Sequence, residues 1–172
     1  MGVLYFLRNF AMRFLKRYNE PFSFGYYRTS QKKLLIMIPE GNTTEDIRER
    51  EQIIREFYRD WKEKNPSQRK YNLSLKEYIN IRMVSIVETS EHAAKTFLST
   101  LAVLQLDAIL TGAKVVSIRK PKEGNKNQKP FERILIMKYS LTGIGTVKMT
   151  VGVRRRTHEK VQYCITAINN QE

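Results

Sequence analysis

The spacing of hydrophobic residues changes along the chain, and the change predicts where helices give way to strands. Between residues 43 and 112, apolar side chains recur with a period near 3.6, as they do on one face of a helix. From residue 113 the period becomes 2, which is typical of strands. Four strands are therefore expected, over residues 113–120, 131–140, 146–154 and 160–168.

The helical part contains three predicted helices. The first begins at Thr43, which has capping-box spacing to Asp46, and it ends at Asn65, which precedes a proline. A second capping-box pattern at Ser74 predicts the next helix. Residues 93–110 are apolar nearly all round and predict a helix buried at the centre of the fold. The second helix is expected to bury six side chains: Leu75, Tyr78, Ile79, Met83, Ile86 and Val87.

Short connections between the predicted strands favour an antiparallel meander, because parallel neighbours need longer crossovers. The sequence thus predicts an α+β fold in which N-terminal helices are followed by a four-stranded antiparallel sheet packed on a buried helix. Alternation places one set of side chains against the helices: Val147, Met149, Val151, Val153, Val161, Tyr163, Ile165 and Ala167. It places another set on the outer face: Lys148, Thr150, Arg154, Gln162, Cys164 and Thr166.

Two segments are predicted, a basic N-terminal arm over residues 1–39 and a single α+β domain over residues 40–172. Residues 3–18 have the pattern of a basic amphipathic helix, and the arm continues into a short extended segment. Three interpretations of that helix stay open. It docks on its own domain, it lies on an anionic membrane surface, or it is a leader outside the functional protein.

Charge narrows the choice of partners. The chain has 172 residues, a formal net charge of +14 and a sequence pI near 10.0, so polyanions are the first partners to consider. Residues 111–172 carry thirteen basic and four acidic side chains, whereas the middle of the chain is almost neutral. One cysteine and two histidines exclude an internal disulfide framework and leave little for a metal site. No apolar run approaches the roughly 20 residues that span a bilayer.

The basic side chains of the predicted sheet are the candidate nucleic-acid contacts. They lie on the outer face, at one hairpin tip and in the loop before the second strand, where they could follow a phosphate backbone. A solvated face whose charges protect the sheet edges is the alternative. The candidates are Lys120, Lys122, Lys126, Lys129, Lys148, Arg154, Arg155 and Arg156.

Candidate chemistry centres on His158, which follows three consecutive arginines. A neutral imidazole there could abstract a ribose 2′-hydroxyl proton while arginines stabilise the phosphorane. An exposed turn histidine is the alternative interpretation. His92 could serve as a general acid or base, but a histidine in a capping turn is the favoured interpretation. Glu88 is expected to be an isolated carboxylate on a helix. No Walker-type glycine loop and no HExxH, DxDxDG or GxSxG motif occurs, so neither a cofactor nor a metal is predicted.

One resemblance covers roughly residues 47–168. The segments that carry it are FYRDWKEKNPSQRKYNLSLKEYINIR, ETSEHAAKTFLSTLAVLQLDAIL, KNQKPFERILIM, GIGTVKMTVGVRRR and VQYCITAI. Together they resemble a family of small, uncharacterised proteins of bacterial mobile genetic elements. The resemblance implies a genetic context, such as a conjugative element or prophage, rather than a mechanism.

A second resemblance is one of architecture. Helices followed by a four-stranded antiparallel meander that ends in KVQYCITAI are similar to the RelE/barnase-like ribonucleases. These enzymes use basic and hydroxyl side chains of the sheet, sometimes with histidine, for metal-independent RNA cleavage. The resemblance implies a catalytic role for Lys148, Arg154, Thr166 and His158.

Three hypotheses follow. The first is a cytoplasmic nucleic-acid-binding protein, directed to RNA rather than DNA, which acts through the basic sheet face. The second is a metal-independent endoribonuclease that uses the same face. The third is a protein-interaction factor whose acidic partner covers that face.

Overall fold

A computed structural model describes residues 26–28 and 35–168, and these residues form an α+β fold. The strands are β1 (Tyr26–Arg28), β2 (Leu35–Met37), β3 (Arg69–Asn72), β4 (Glu77–Asn80), β5 (Lys114–Arg119), β6 (Phe131–Leu141), β7 (Gly145–Arg154) and β8 (Lys160–Ala167). The helices are α1 (Thr44–Lys64), α2 (Met83–Ala93), α3 (Phe97–Val103) and α4 (Leu106–Gly112). Strands β1 and β2 pair as a separate two-stranded sheet.

The main sheet has six strands in the order β3-β4-β8-β7-β6-β5. Its last four strands form the expected antiparallel meander, with boundaries close to those predicted. The prediction of a purely antiparallel, four-stranded sheet is wrong, because β3 and β4 form an additional hairpin. Strand β4 joins the meander through a short parallel pairing in which Ile79 lies opposite Lys160.

The second predicted helix is also wrong over its first half, because residues 69–80 form that hairpin. Buried Asn72 accounts for the difference. Its side-chain oxygen accepts hydrogen bonds from the backbone N–H groups of Ser74 and Leu75 at 3.0 and 2.8 Å. Its amide nitrogen donates to the carbonyls of Leu110 and Ala113, so the turn is fixed to α4. Helix α2 therefore begins only at Met83, and the predicted burial of Tyr78 and Met83 is wrong because both are exposed.

The apolar segment 93–110 is buried as expected, but it is not one helix. Thr96 is extended and caps α3 by accepting a hydrogen bond from the Ser99 N–H at 3.2 Å. A second break at Gln105 separates α3 from α4. The two short helices α3 and α4 can follow the sheet more closely than one straight helix. The side chains of Val103, Leu106 and Leu110 are fully buried.

Helix α1 begins and ends as predicted. Thr43 and Asp46 form the complete capping box, and the helix ends at Asn65. Hydrogen bonds from the side chain and from the backbone N–H of Thr43 lower the pKa of the Asp46 carboxyl. On the inner side of α1, buried Arg50 donates to the carbonyls of Ala94 and Pro39, each at 2.7 Å. These bonds fix α1 to the segments on either side of it.

A β-bulge changes the face of the sheet toward which some side chains of β8 point. The register of β7 with β8 shifts between Thr150 and Val151, so Val151 lies opposite Gln162. Gln162 consequently points toward the helices, where it accepts a hydrogen bond from the Tyr58 hydroxyl at 2.8 Å and donates to Thr89 at 2.9 Å. The predicted outer position of Gln162 is therefore wrong.

The bulge also places Tyr163 on the opposite face from the one predicted. There it forms a second, smaller apolar cluster with four other buried side chains, and Val84 of α2 packs against this cluster. Helix α2 runs beside β8, since the Ser85 hydroxyl donates to the Gln162 carbonyl at 2.5 Å. The other members are Phe131, Ile134, Ile136 and Val161, so the predicted inward position of Val161 is also wrong.

The predicted amphipathic helix at residues 3–18 lies outside the described residues. At the end of the predicted arm, Ile38 is buried in the main core. Within the described residues, no helix is both long enough and apolar enough to cross a membrane. The same residues contain no group of three or more His, Cys, Asp or Glu side chains arranged to hold a metal ion.

Candidate functional site

The outer faces of β7 and β8 form the floor of an open cleft of about 320 Å³. Helix α2 forms one wall, while the end of β5 and the following loop form the other. Residues from distant parts of the chain therefore meet around one space. Its polar lining includes Lys148, Thr150, Cys164 and Thr166 on the floor, Glu88 and His92 from α2, and Arg119, Lys120 and Lys122 from the opposite wall.

The loop of residues 120–130 is shaped by its amide side chains. Asn127 donates to the Glu88 carboxylate at 2.5 Å, which joins the loop to α2. Gln128, which is buried, accepts from the backbone N–H of Lys122 at 2.8 Å. Asn125 accepts from the Asn127 N–H at 2.9 Å. These bonds hold the lysines of the loop at the edge of the cleft.

A buried carboxylate and a buried phenol lie at the joint between loop and helix. Glu88 is only 5% exposed and Tyr163 only 4%. The Tyr163 hydroxyl lies near Glu88, Gln128 and Asn125, yet it has no hydrogen bond of normal geometry within the described residues. Burial, followed by the interaction with Glu88, raises the pKa of Tyr163 to about 12, so the phenol stays protonated at neutral pH.

His92 lies beside Glu88 on the wall of the cleft. The two residues are one helical turn apart, and His92 Nε2 is 3.7 Å from Glu88 Oε2. The imidazole is about half exposed while the carboxylate is buried. A buried carboxylate can orient an imidazole ring and favour the tautomer whose proton faces it. This pair places an imidazole, a group that can accept or donate a proton, at the solvent-accessible edge of the cleft.

Cys164 also lines the cleft, but it is a poor nucleophile. Burial, with a smaller contribution from the Glu88 charge, raises the pKa of the thiol to about 12, against opposing effects of Lys148 and Lys95. The thiol is 3.7 Å from the Glu88 carbonyl, to which it donates. Since the thiolate is the reactive form, Cys164 is a structural residue of the cleft floor.

A second concave surface, which we term the lysine hollow, adjoins the cleft and has a volume of about 530 Å³. Lys120 and Lys122 line both spaces. The hollow reaches Arg155, whose side chain donates to the Lys129 carbonyl at 3.3 Å. Its charged lining consists of Lys120, Lys122, Glu123, Lys126, Lys129, Glu132 and Arg155.

The structure separates the four residues proposed for catalysis into two pairs. Lys148 and Thr166 line the cleft, whereas Arg154 and His158 lie at the β7–β8 hairpin tip. Six residues of strand between Lys148 and Arg154 correspond to roughly 20 Å. His158 has a left-handed backbone (φ 53°), and its Nδ1 is 3.2 Å from Glu132 Oε1. This geometry does not support one catalytic group of four.

The predicted binding residues lie on three connected surfaces. Lys120, Lys122 and Lys148 line the cleft, while Lys126, Lys129 and Arg155 line the hollow. Arg154 and Arg156 belong to the hairpin tip. Arg154 forms an ion pair with Glu159 at 3.3 Å, and Arg156 is exposed.

Sequence reasoning missed several residues of the cleft. Glu88 was expected to be isolated and His92 to lie in a capping turn, but both lie on one α2 face. Their i, i+4 spacing was the available signal. Arg119, Asn125 and Tyr163 had no such signal, because a loop fold and a bulge determine their positions.

Comparisons with known proteins supply no further assignment. No family model matches the chain, and no curated protein or solved structure matches it either.

Proposed function

We propose that the protein binds single-stranded RNA, with the sugar–phosphate backbone in the cleft. One observation carries the proposal. Cations from β5, the β5–β6 loop and β7 line the same open space, although they are far apart in the sequence. Such convergence creates a local positive potential that scattered surface lysines do not.

These cations are also available to a ligand. Among the described residues, no carboxylate lies within ion-pair distance of the Arg119, Lys120, Lys122 or Lys148 side chains. Each phosphate that such a side chain neutralises releases counterions, so affinity for RNA falls as salt rises.

The uncharged lining supports a strand with accessible bases and sugars. Thr150 and Thr166 present hydroxyls, and Asn125 presents an amide, along the same cleft as the cations. Groups of this kind can form hydrogen bonds with a ribose 2′-hydroxyl or with an unpaired base edge. A duplex would hide those base edges, so single-stranded RNA is the favoured ligand.

The direct test measures fluorescence anisotropy of labelled single-stranded RNA in EDTA at two salt concentrations. We expect Lys148→Glu to weaken binding about tenfold or more and to reduce the salt slope by about 0.7 per lost phosphate contact. Lys64→Glu, an equal charge change at the exposed end of α1, is the matched control. Equal losses in both variants would indicate diffuse charge rather than a site. Absence of binding at low salt would contradict the proposal and would favour an acidic protein partner.

Metal-independent cleavage of the bound RNA is a second candidate function, favoured by the 3.7 Å separation of His92 and Glu88 within the cleft. In this reaction the 2′-oxygen bonds to the adjacent phosphorus and the bond from phosphorus to the 5′-oxygen breaks. His92 accepts the 2′ proton, and the leaving 5′-oxygen takes a proton from solvent. Lysine ammonium groups stabilise the phosphorane charge.

Product analysis in EDTA separates binding from cleavage. Cleavage should yield a 2′,3′-cyclic phosphate and a 5′-hydroxyl, and it should disappear in His92→Ala. His158→Ala, the second histidine and the control, should leave the rate unchanged. Loss of cleavage in His158→Ala alone would instead locate the chemistry at the hairpin tip. Binding without any cleaved product would leave the protein as an RNA-binding module.

A further inference from the structure

An exposed aromatic pair lies on the β3–β4 hairpin, at the opposite side of the sheet from β5. Tyr71 and Tyr78 are directly opposite each other in the antiparallel register. Their ring centroids are 5.4 Å apart at an interplanar angle of 74°. Tyr71 is 42% exposed and Tyr78 is 48% exposed. The hairpin therefore presents aromatic surface to a partner instead of burying it.

The pair is accompanied by a cation. The Arg69 guanidinium lies 4.4 Å from the centroid of the Tyr78 ring, within range of a cation–π interaction. Exposed Leu73 and Met83 flank this surface in the sequence. We term Arg69, Tyr71 and Tyr78 the tyrosine platform. An aromatic surface with a guanidinium is suited to an anionic ligand that also has flat rings, which describes an unpaired nucleotide.

Direct contacts connect the platform with the basic surfaces described above. On β4, the Asn80 amide donates to the Lys160 carbonyl at 3.1 Å. Glu159, the residue before Lys160, accepts a hydrogen bond from Arg82 Nε at 3.0 Å and forms an ion pair with Arg154 at 3.3 Å.

The hairpin tip completes the connection. Arg155, which follows Arg154 in the chain, donates to the Lys129 carbonyl at the lysine hollow. The hollow shares Lys120 and Lys122 with the cleft. A strand that follows these contacts would pass from the cleft, through the hollow and across the hairpin tip, where Glu159 pairs with Arg154 and Arg82, to the platform.

We propose that the tyrosine platform is a second contact site for the same single-stranded RNA, where unpaired bases stack on Tyr71 and Tyr78. This inference rests on the proposed function of the cleft. The cleft and hollow bind phosphates, and the platform binds bases. It follows that the preferred ligand is a single strand long enough to reach both sites, with little dependence on base identity, because every base has a flat face.

The test compares short and long single-stranded RNA, of about 4 and about 16 nucleotides, by anisotropy in EDTA. In the double variant Tyr71→Leu with Tyr78→Leu, affinity for the long strand should fall roughly tenfold while affinity for the short strand stays unchanged. The salt slope should also stay unchanged, since no phosphate contact is lost. Tyr78→Phe keeps the ring and should bind as the wild type does.

The other outcomes overturn either the inference or the cleft proposal on which it rests. Equal affinity of wild type and double variant for the long strand removes the platform as a site, although Lys148→Glu would still report on the cleft. A loss for both lengths points to a general folding effect, which thermal unfolding of the same variant measures. If sedimentation shows that the wild type is dimeric and the double variant monomeric, the platform is a surface for self-association. If the Lys148→Glu variant binds short RNA as tightly as the wild type does, the cleft proposal is contradicted. The comparison of the wild type with the double tyrosine variant still tests the platform in that case.

Discussion

Asn127 of the β5–β6 loop donates a hydrogen bond to Glu88 of α2 at 2.5 Å. This contact joins two segments that are 39 residues apart, and it holds the loop of Lys122, Lys126 and Lys129 near the catalytic candidate His92. The position of the basic side chains therefore depends on a buried acid. Charge density alone does not create the cleft.

The variant Asn127→Asp tests this dependence. In this variant a second carboxylate would face Glu88, so the charge-assisted hydrogen bond between residues 127 and 88 is lost. We expect the free energy of unfolding to fall by about 1–3 kcal/mol and RNA affinity to fall with it. Asn42→Asp introduces the same charge at an exposed position before α1 and should change neither quantity by a comparable amount. Chemical denaturation and anisotropy measure the two effects, and equal results for both variants would show that the contact is dispensable.

The centre of the core is tested by Leu110→Ala. Leu110 of α4 is fully buried in the main cluster, so its truncation leaves a cavity. The free energy of unfolding should fall by about 2–5 kcal/mol. Leu104, between α3 and α4, is only partly buried, so Leu104→Ala should lower the free energy of unfolding by less than Leu110→Ala does. Urea denaturation measures both values. A larger cost at Leu104 would contradict the placement of the two short helices.

Gly152 tests the second apolar cluster. A Cβ atom at this position would lie 2.6 Å from carbons of the Phe131 ring, which is itself buried. We expect Gly152→Ala to destabilise the protein by about 1–3 kcal/mol through overpacking. If the unfolding midpoint stays at the wild-type value, Phe131 cannot lie over β7 as described.

Cys164 gives the protein a specific response to alkaline pH. The pKa of the folded thiol is raised to about 12 from an ordinary value of 9.0. Between these values the unfolded chain loses the proton while the folded chain keeps it, so stability falls as pH rises. The slope from this residue is at most about 1.4 kcal/mol per pH unit. Cys164→Ala should flatten the pH dependence of unfolding between about pH 9 and 11.

Thiol labelling provides the complementary readout. At about pH 8 the native protein should react with a thiol reagent far more slowly than the urea-unfolded chain. Rapid labelling of the native state would contradict the partly buried position of Cys164 on the cleft floor.

Local signals predicted much of the fold. The Thr43–Asp46 capping box, the end of α1 and the four strands of the meander were all expected from spacing. Capping and strand alternation depend on neighbouring residues, which sequence reasoning can read directly.

The errors arose where distant contacts override local pattern. Ser74 has capping-box spacing, but Asn72 bonds to α4 and turns the chain into a hairpin. The bulge in β8 moves Gln162 inward and Tyr163 outward, and nothing in the alternation indicates it. Much of the cleft wall was missed for the same reason, whereas alternation placed Thr150, Cys164 and Thr166 on the outer face and charge identified the lysines.

The most direct test of the central claim is an NMR titration of the isotopically labelled full chain with single-stranded RNA in EDTA. We expect the largest shift changes at the amides of Lys122, Lys148, Thr150 and Thr166, with small changes along the exposed face of α1. Changes spread evenly over all basic surfaces, or confined to residues outside the cleft, would contradict the claim that the cleft is the RNA-binding site.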